Sequence, residues 1–247
     1  MTAVLGRTTD PYLDIAEGIY PDRRIVNVAG TNPLVGTVTE EVWDVGGTLV
    51  YPTAEESWEL VSADANDTAA GTGAREVTIG YLDGDYVEQQ AVVATNGGTV
   101  ATGITDGFRL LKARVTAVGS GAENAGNITI QATGGGNPRG QINAGDTSNE
   151  SQHGHYTIPA GKTGYLVFFY EEINKNEDVR FNVRRTDGPN GIFRTLITSS
   201  LYQDQFGSPL KAPADPLPEK TDVKIECVSS NSVATATIYY QLVLVDN

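Results

Sequence analysis

A single cysteine, Cys227, excludes an intrachain disulfide framework, so the fold of these 247 residues must rest on an apolar core. It sits in an alternating strand pattern and is expected as a buried thiol, since a reactive one needs exposure and a lowered pKa. Histidine is nearly as scarce, with His153 and His155 the only two. A serine or cysteine triad therefore has little to draw on, and Ser120 in VGSGA lacks the G-x-S-x-G spacing. Basic residues are few as well: 17 Lys and Arg face 31 Asp and Glu, for a net charge of −14. Nucleic-acid binding draws on released counterions and needs clustered cations, so no nucleic-acid partner is expected. The same acidity repels anionic headgroups, and no run approaches the roughly 20 apolar residues that cross a bilayer, so no membrane is expected either. The opening MTAVLGRTTDPYLDIAEG has no sustained apolar stretch, which points to synthesis in a cytoplasm.

What is abundant is glycine, 28 residues of it, beside many Thr, Val and Asn. That mixture favours short strands and tight turns over helices. Residues 1–24 lack a sustained period, and Gly18 and Pro21 limit any helix there to one or two turns. Tyr12, Leu13, Ile15, Ile19 and Tyr20 make this segment more apolar than a solvated tail requires, so it is expected to be an arm that docks on its own domain or on a partner. From residue 25 to 247 strand signals are dense and describe one β-sandwich domain, with room for an internal boundary near 134–152. Runs at Ile25–Val28, Val35–Trp43, Thr48–Tyr51 and Ser57–Ser62 are punctuated by Asn32-Pro33, Gly46-Gly47 and Pro52. Val77, Ile79 and Tyr81 then alternate on one face until Asp83-Gly84, where a positive-φ turn leads into a return strand, Tyr86–Val93. Pro209, Pro213, Pro216 and Pro218 make Gln205–Lys220 a stiff connection and not a strand interior. The resulting fold class is all-β, an antiparallel β-sandwich of jelly-roll type behind an N-terminal extended arm.

Candidate chemistry is thin. His153-Gly-His155 resembles the HxH of cupins, but no carboxylate follows at the spacing such a metal site uses, so no metal and no cofactor are expected and the two rings are read as surface or interface groups. Glu171-Glu172 and Asp83/Asp85 could imitate a glycosidase pair, yet 31 acids place some together by chance and a solvated role is expected. Asp64, Asn66 and Asp67 supply oxygens without EF-hand spacing. Trp43 and Trp58 are read as sandwich core.

The phrases ANDTAAGTGAREVTI (65–79), YTIPAGKTGYLVFFY (156–170) and TATIYYQLVLVDN (235–247) resemble those of marine bacteriophage virion proteins of the capsid decoration, cement or head-fibre type. The likeness covers roughly two thirds of the chain and carries no catalytic signature. It implies a non-enzymatic virion protein that is made in the host cytoplasm, binds the outer face of a shell of major capsid protein, and stabilises it as a homotrimer. Net charge favours the exterior, away from packaged phosphate. The alternative is a head- or tail-fibre adhesin that binds host surface glycan through exposed Trp and Tyr.

Overall fold

The structure, a computed structural model, describes residues 10–145, 147–175, 177–202, 205–209 (backbone), 215–231 and 233–247. One short helix, α1 (Pro11–Ala16), precedes β1 (Arg23–Val35), β2 (Glu40–Glu41), β3 (Glu56–Ser62), β4 (Ala74–Leu82), β5 (Glu88–Ala94), β6 (Ala101–Gly107), β7 (Arg109–Val118) and β8 (Ile128–Ala132). There follow β9 (Pro138–Ile142), β10 (Tyr156–Thr157), β11 (Lys162–Ile173), β12 (Asp178–Arg185), β13 (Arg194–Tyr202), β14 (Gln205–Pro209), β15 (Asp222–Ser229) and β16 (Ala234–Asp246). The expected all-β, antiparallel sandwich is what forms.

Two pairs of sheets divide the strands. In the first, a sheet ordered β1-β16-β11-β14 packs on one ordered β10-β15-β12-β13. Alternation drives this burial: Ala236, Ile238, Tyr240, Leu242 and Leu244 of β16 point inward and meet Phe181 of β12 and Ile225 and Cys227 of β15. β1 and β16 run antiparallel with Arg23 opposite Val245 and Thr31 opposite Thr237. In the second pair, the sheet β6-β3-β8-β9 shares a core with β5-β4-β7, built on Trp58, Leu60, Val77, Ile79, Ile128 and Ile130. Every strand of this second sandwich lies between β2 and β10 in sequence. Those two short strands both pair with β15, at Glu226–Cys227 and at Val223–Asp222, along the edge that β12 leaves free. The second sandwich is thus inserted into one edge strand of the first, and residues 143–155 carry the chain back.

Several local expectations are corrected. Thr48–Tyr51 is not a strand but the irregular outgoing connection to the inserted sandwich. β1 runs on through Asn32-Pro33 with a register shift, because it is an edge strand whose missing proline donor faces no neighbour. At the hairpin the left-handed backbone falls on Tyr86, φ 65°, and not on Asp83-Gly84. The Asp83 carboxylate holds that loop by accepting the Asp85 and Val87 amides at 3.0 Å each. The proline-bearing segment starts with a strand after all: β14 pairs with β11 from Gln205 opposite Glu172 to Pro209 opposite Phe168. Proline closes that strand at a sheet edge, and residues 210–214 lie outside the described ones.

The arm is short and capped. Asp10 accepts the Tyr12 and Leu13 amides at 2.9 and 3.4 Å, Pro11 takes the first helical position, and Gly18 at φ +75° follows the helix end. Ile15 is buried against this chain, Ile19 and Tyr20 are half-buried, and Tyr12 and Leu13 are 40% and 46% exposed.

Candidate functional site

The densest polar chemistry among the described residues lies in the seam between the two sandwiches, where the outgoing and returning connections pass each other. Val223, Ile225 and Cys227 of β15 face the first core, so Lys224 and Glu226 point the other way. There they would meet water, but β2 and Phe193 cover them. Lys224 Nζ lies 2.7 Å from Glu41 Oε1 and 2.9 Å from Glu226 Oε1, and Arg184 Nη1 donates to Glu226 Oε2 at 2.7 Å. The second Glu41 oxygen accepts from His155 Nε2 at 2.5 Å and from the Leu49 amide at 3.2 Å. Burial by itself raises the Glu41 carboxyl, but His155 and Lys224 together outweigh it and hold that carboxyl below its ordinary value.

A second buried pair fastens the inserted sandwich. Arg109 of β7 meets Asp222 of β15 in a fork, Nε to Oδ1 at 2.9 Å and Nη2 to Oδ2 at 3.2 Å. Thr157 donates to the same carboxylate at 2.6 Å, the Pro52 and Phe108 carbonyls accept from Nη1, and the guanidinium carbon sits 4.0 Å from the Phe108 ring centre. With all these partners present the pair is satisfied, whereas losing one partner would strand a buried charge.

The two histidines lie at the centre of this seam, 3% and 5% exposed, which corrects the surface reading. They are not neighbours on one strand: His153 makes an isolated bridge to Gly30, Gly154 turns with φ +56°, and His155 enters the chain just before β10. A Cβ on Gly154 would stand 2.3 Å from the Val42 carbonyl, so only glycine lets the segment pass. Their ring centres are 6.2 Å apart, with the Trp43 edge on His155 at 5.7 Å. Ser151 Oγ accepts the Ala113 amide at 2.9 Å and lies 3.2 Å from His153 Nδ1. Desolvation, then the neighbouring His155, push the His153 imidazole down to about 3; the Ser151 and Leu111 carbonyls offset this only in part.

The other residues singled out in the sequence fall elsewhere. Trp43 and Trp58 are core, as expected, and so unavailable as sugar-stacking surfaces. Cys227 is buried, its thiol pushed up by desolvation and by the nearby Glu40, Glu226 and Glu41. Glu171 is fully buried on β11 while Glu172 is exposed, so the solvated reading fails for Glu171. Desolvation raises its carboxyl even though Ser199 donates to Oε2 at 2.6 Å. Asp67 is buried as a loop staple: Oδ1 accepts the Ala74 and Ala125 amides, and Oδ2 accepts the Gly126 amide and the Ser62 hydroxyl. Glu41, Lys224, Arg109 and Asp222 escaped the sequence reading because their strand phase is that of a solvent face. The inserted sandwich, its connections and, over Lys224, Phe193 bury them.

No family model matches the chain, and no curated protein matches it by sequence. Among solved structures it is similar to infectious bursal disease virus, Gx strain, at 10% identity over 91% of this chain and 72% of that one, with a TM-score of 0.26. It is also similar to a VP2 subviral particle of infectious bursal disease virus, at 10% identity over 91% and 76%, with a TM-score of 0.21. A vicilin from hazelnut, Corylus avellana, matches at 9% identity over 92% and 76%, with a TM-score of 0.16. Likeness this faint carries no argument about function.

Proposed function

We propose that this chain is a non-enzymatic structural protein of a bacteriophage virion, a decoration or cement protein that binds the outer face of the assembled capsid. The observation that carries the reading is where the virion-like phrases fall. Residues 156–170 and 235–247 supply β11 and β16, the two inner strands of one sheet, paired to each other from Lys162 opposite Asp246 onward. Residues 65–79 enter β4, the middle strand of its own sheet. The resemblance therefore takes in framework strands of both sandwiches, together with the loop 65–73 that leads into β4. The order β1-β16-β11-β14 against β10-β15-β12-β13 supports a jelly-roll reading of the first sandwich, with β2 and β10 sharing one edge position. Such a protein stabilises a shell by binding the assembled lattice in preference to free subunits, which shifts the assembly equilibrium by mass action.

The test is co-sedimentation of purified protein with undecorated heads and, separately, with free major capsid protein. Binding to heads alone, with antibody label on the head exterior in virion images, is the expected result. Binding to neither, or label confined to the tail, would sink the proposal. The glycan-adhesin alternative loses its two tryptophans to the cores, and a glycan array is expected to be silent.

A further inference from the structure

Between the sandwiches lies a cavity of about 20 Å³ lined by Tyr51, His153, His155, Thr157, Arg109 and Arg139 among others. Its cationic linings and the Thr157 hydroxyl are already taken. Arg109 is held by Asp222 and two carbonyls, Arg139 by Glu56 and the Val50 carbonyl, and Thr157 by Asp222. Three lining atoms are buried without a hydrogen-bond partner: Tyr51 Oη, His153 Nε2 and His155 Nδ1. The surrounding bonds fix what these atoms offer. Ser151 Oγ already accepts from the Ala113 amide, and the acceptor in reach of its own proton is His153 Nδ1. With Ser151 donating to Nδ1, the His153 proton sits on Nε2, which has no partner of its own. His155 donates through Nε2 to Glu41, which leaves Nδ1 as its ring atom toward the cavity. Tyr51 can give or receive.

Two ring nitrogens and one hydroxyl are within the capacity of a single water molecule, which both donates and accepts, and a space above about 10–15 Å³ admits one. We propose that this cavity is a binding site for one ordered water, held by Tyr51, His153 and His155. The water completes a hydrogen-bonded line from Lys224 and Glu41 of the first sandwich, through His155 and His153, to Ser151 and the Ala113 amide of the second. Tyr51 brings in the outgoing connection, so both connections that cross the seam meet on one solvent molecule. A transition metal fits less well. It needs bare lone pairs on both rings, and centroids 6.2 Å apart are too far for tetrahedral bonds of about 2.0–2.1 Å to each nitrogen.

Two measurements decide this. A high-resolution crystal structure of the full chain, grown with and without added zinc, is expected to show one oxygen at about 2.7–3.2 Å from the three atoms in both conditions. Nitrogen-15 spectra of labelled histidine are expected to show His153 as the Nε2–H form, with a water cross-peak to that proton. Tyr51→Phe keeps the ring, removes one holder, and should lose the cross-peak while the amide spectrum stays folded. A dry cavity, anomalous scattering from zinc between the rings, an Nδ1–H His153, or a cross-peak unchanged in the folded variant would each overturn the site.

Discussion

His153 keeps its neutral form in the fold because burial strips solvent from the charged ring and the neighbouring His155 disfavours it further, and that has a pH signature. Its folded value lies at about 3, against about 6.5 in an unfolded chain. Between those limits the unfolded chain binds the extra proton, so stability is full above about pH 6.5 and is lost as pH falls toward about 3. Urea unfolding from pH 7 down to pH 4.5 should lose up to about 1.4 kcal/mol per pH unit to this one group, and His153→Gln should flatten that slope. A wild-type curve as flat as the variant's would remove the claim. Glu171 works in the opposite direction. Its raised carboxyl favours the protonated fold, so its contribution is present below about pH 4.3 and lost as pH rises through the folded value. Glu171→Gln should therefore stabilise the protein at pH 8, as read by the denaturation midpoint. Equal or lower stability would show that the acid is ionised and well held.

At the level of elements, the arm separates two roles that the sequence joined. Ile15 is spent on this chain's own surface, whereas Tyr12 and Leu13 remain exposed on the same short helix. Replacing both with Ala should shift stability by less than about 0.5 kcal/mol, in line with surface changes, yet weaken capsid association. Unchanged affinity for heads in the double variant would exclude α1 as a docking element. Strands were legible wherever one face is apolar and the other is wet, as with Val77, Ile79 and Tyr81, because alternation is local information. Thr48–Tyr51 and the Asp83 loop were misread for the converse reason: their backbones are set by what packs across them, and Tyr86 takes a left-handed turn that its own side chain disfavours. The seam charges were least legible of all. Lys224 and Glu226 read as a solvated strand face, and burial reaches them through residues more than 30 positions away, Glu41 and Phe193 among them.

For the whole molecule, both sandwiches present sheet edges, including β1, β9, β13 and β5, and closed symmetric association is an effective way to cover such edges. A homotrimer is the expected assembly. Analytical ultracentrifugation should give a mass near three times 26.2 kDa. A stable monomer, both free and recovered from heads after mild release, would count against it.

The insertion also sets an order in time. β1 cannot find β16 until residues 234–245 exist, since Arg23 lies opposite Val245 and Val35 opposite Ala234. All strands of the inserted sandwich, from β3 to β9, are complete by Ile142. During synthesis the guest therefore finishes before β16 reaches β1 and closes that sheet of its host. A released fragment that ends at residue 155 should already protect the Trp58 core from protease, while a chain that stops short of β16 leaves β1 an open edge in search of a partner, a state of this protein exposed to pairing with another copy of itself.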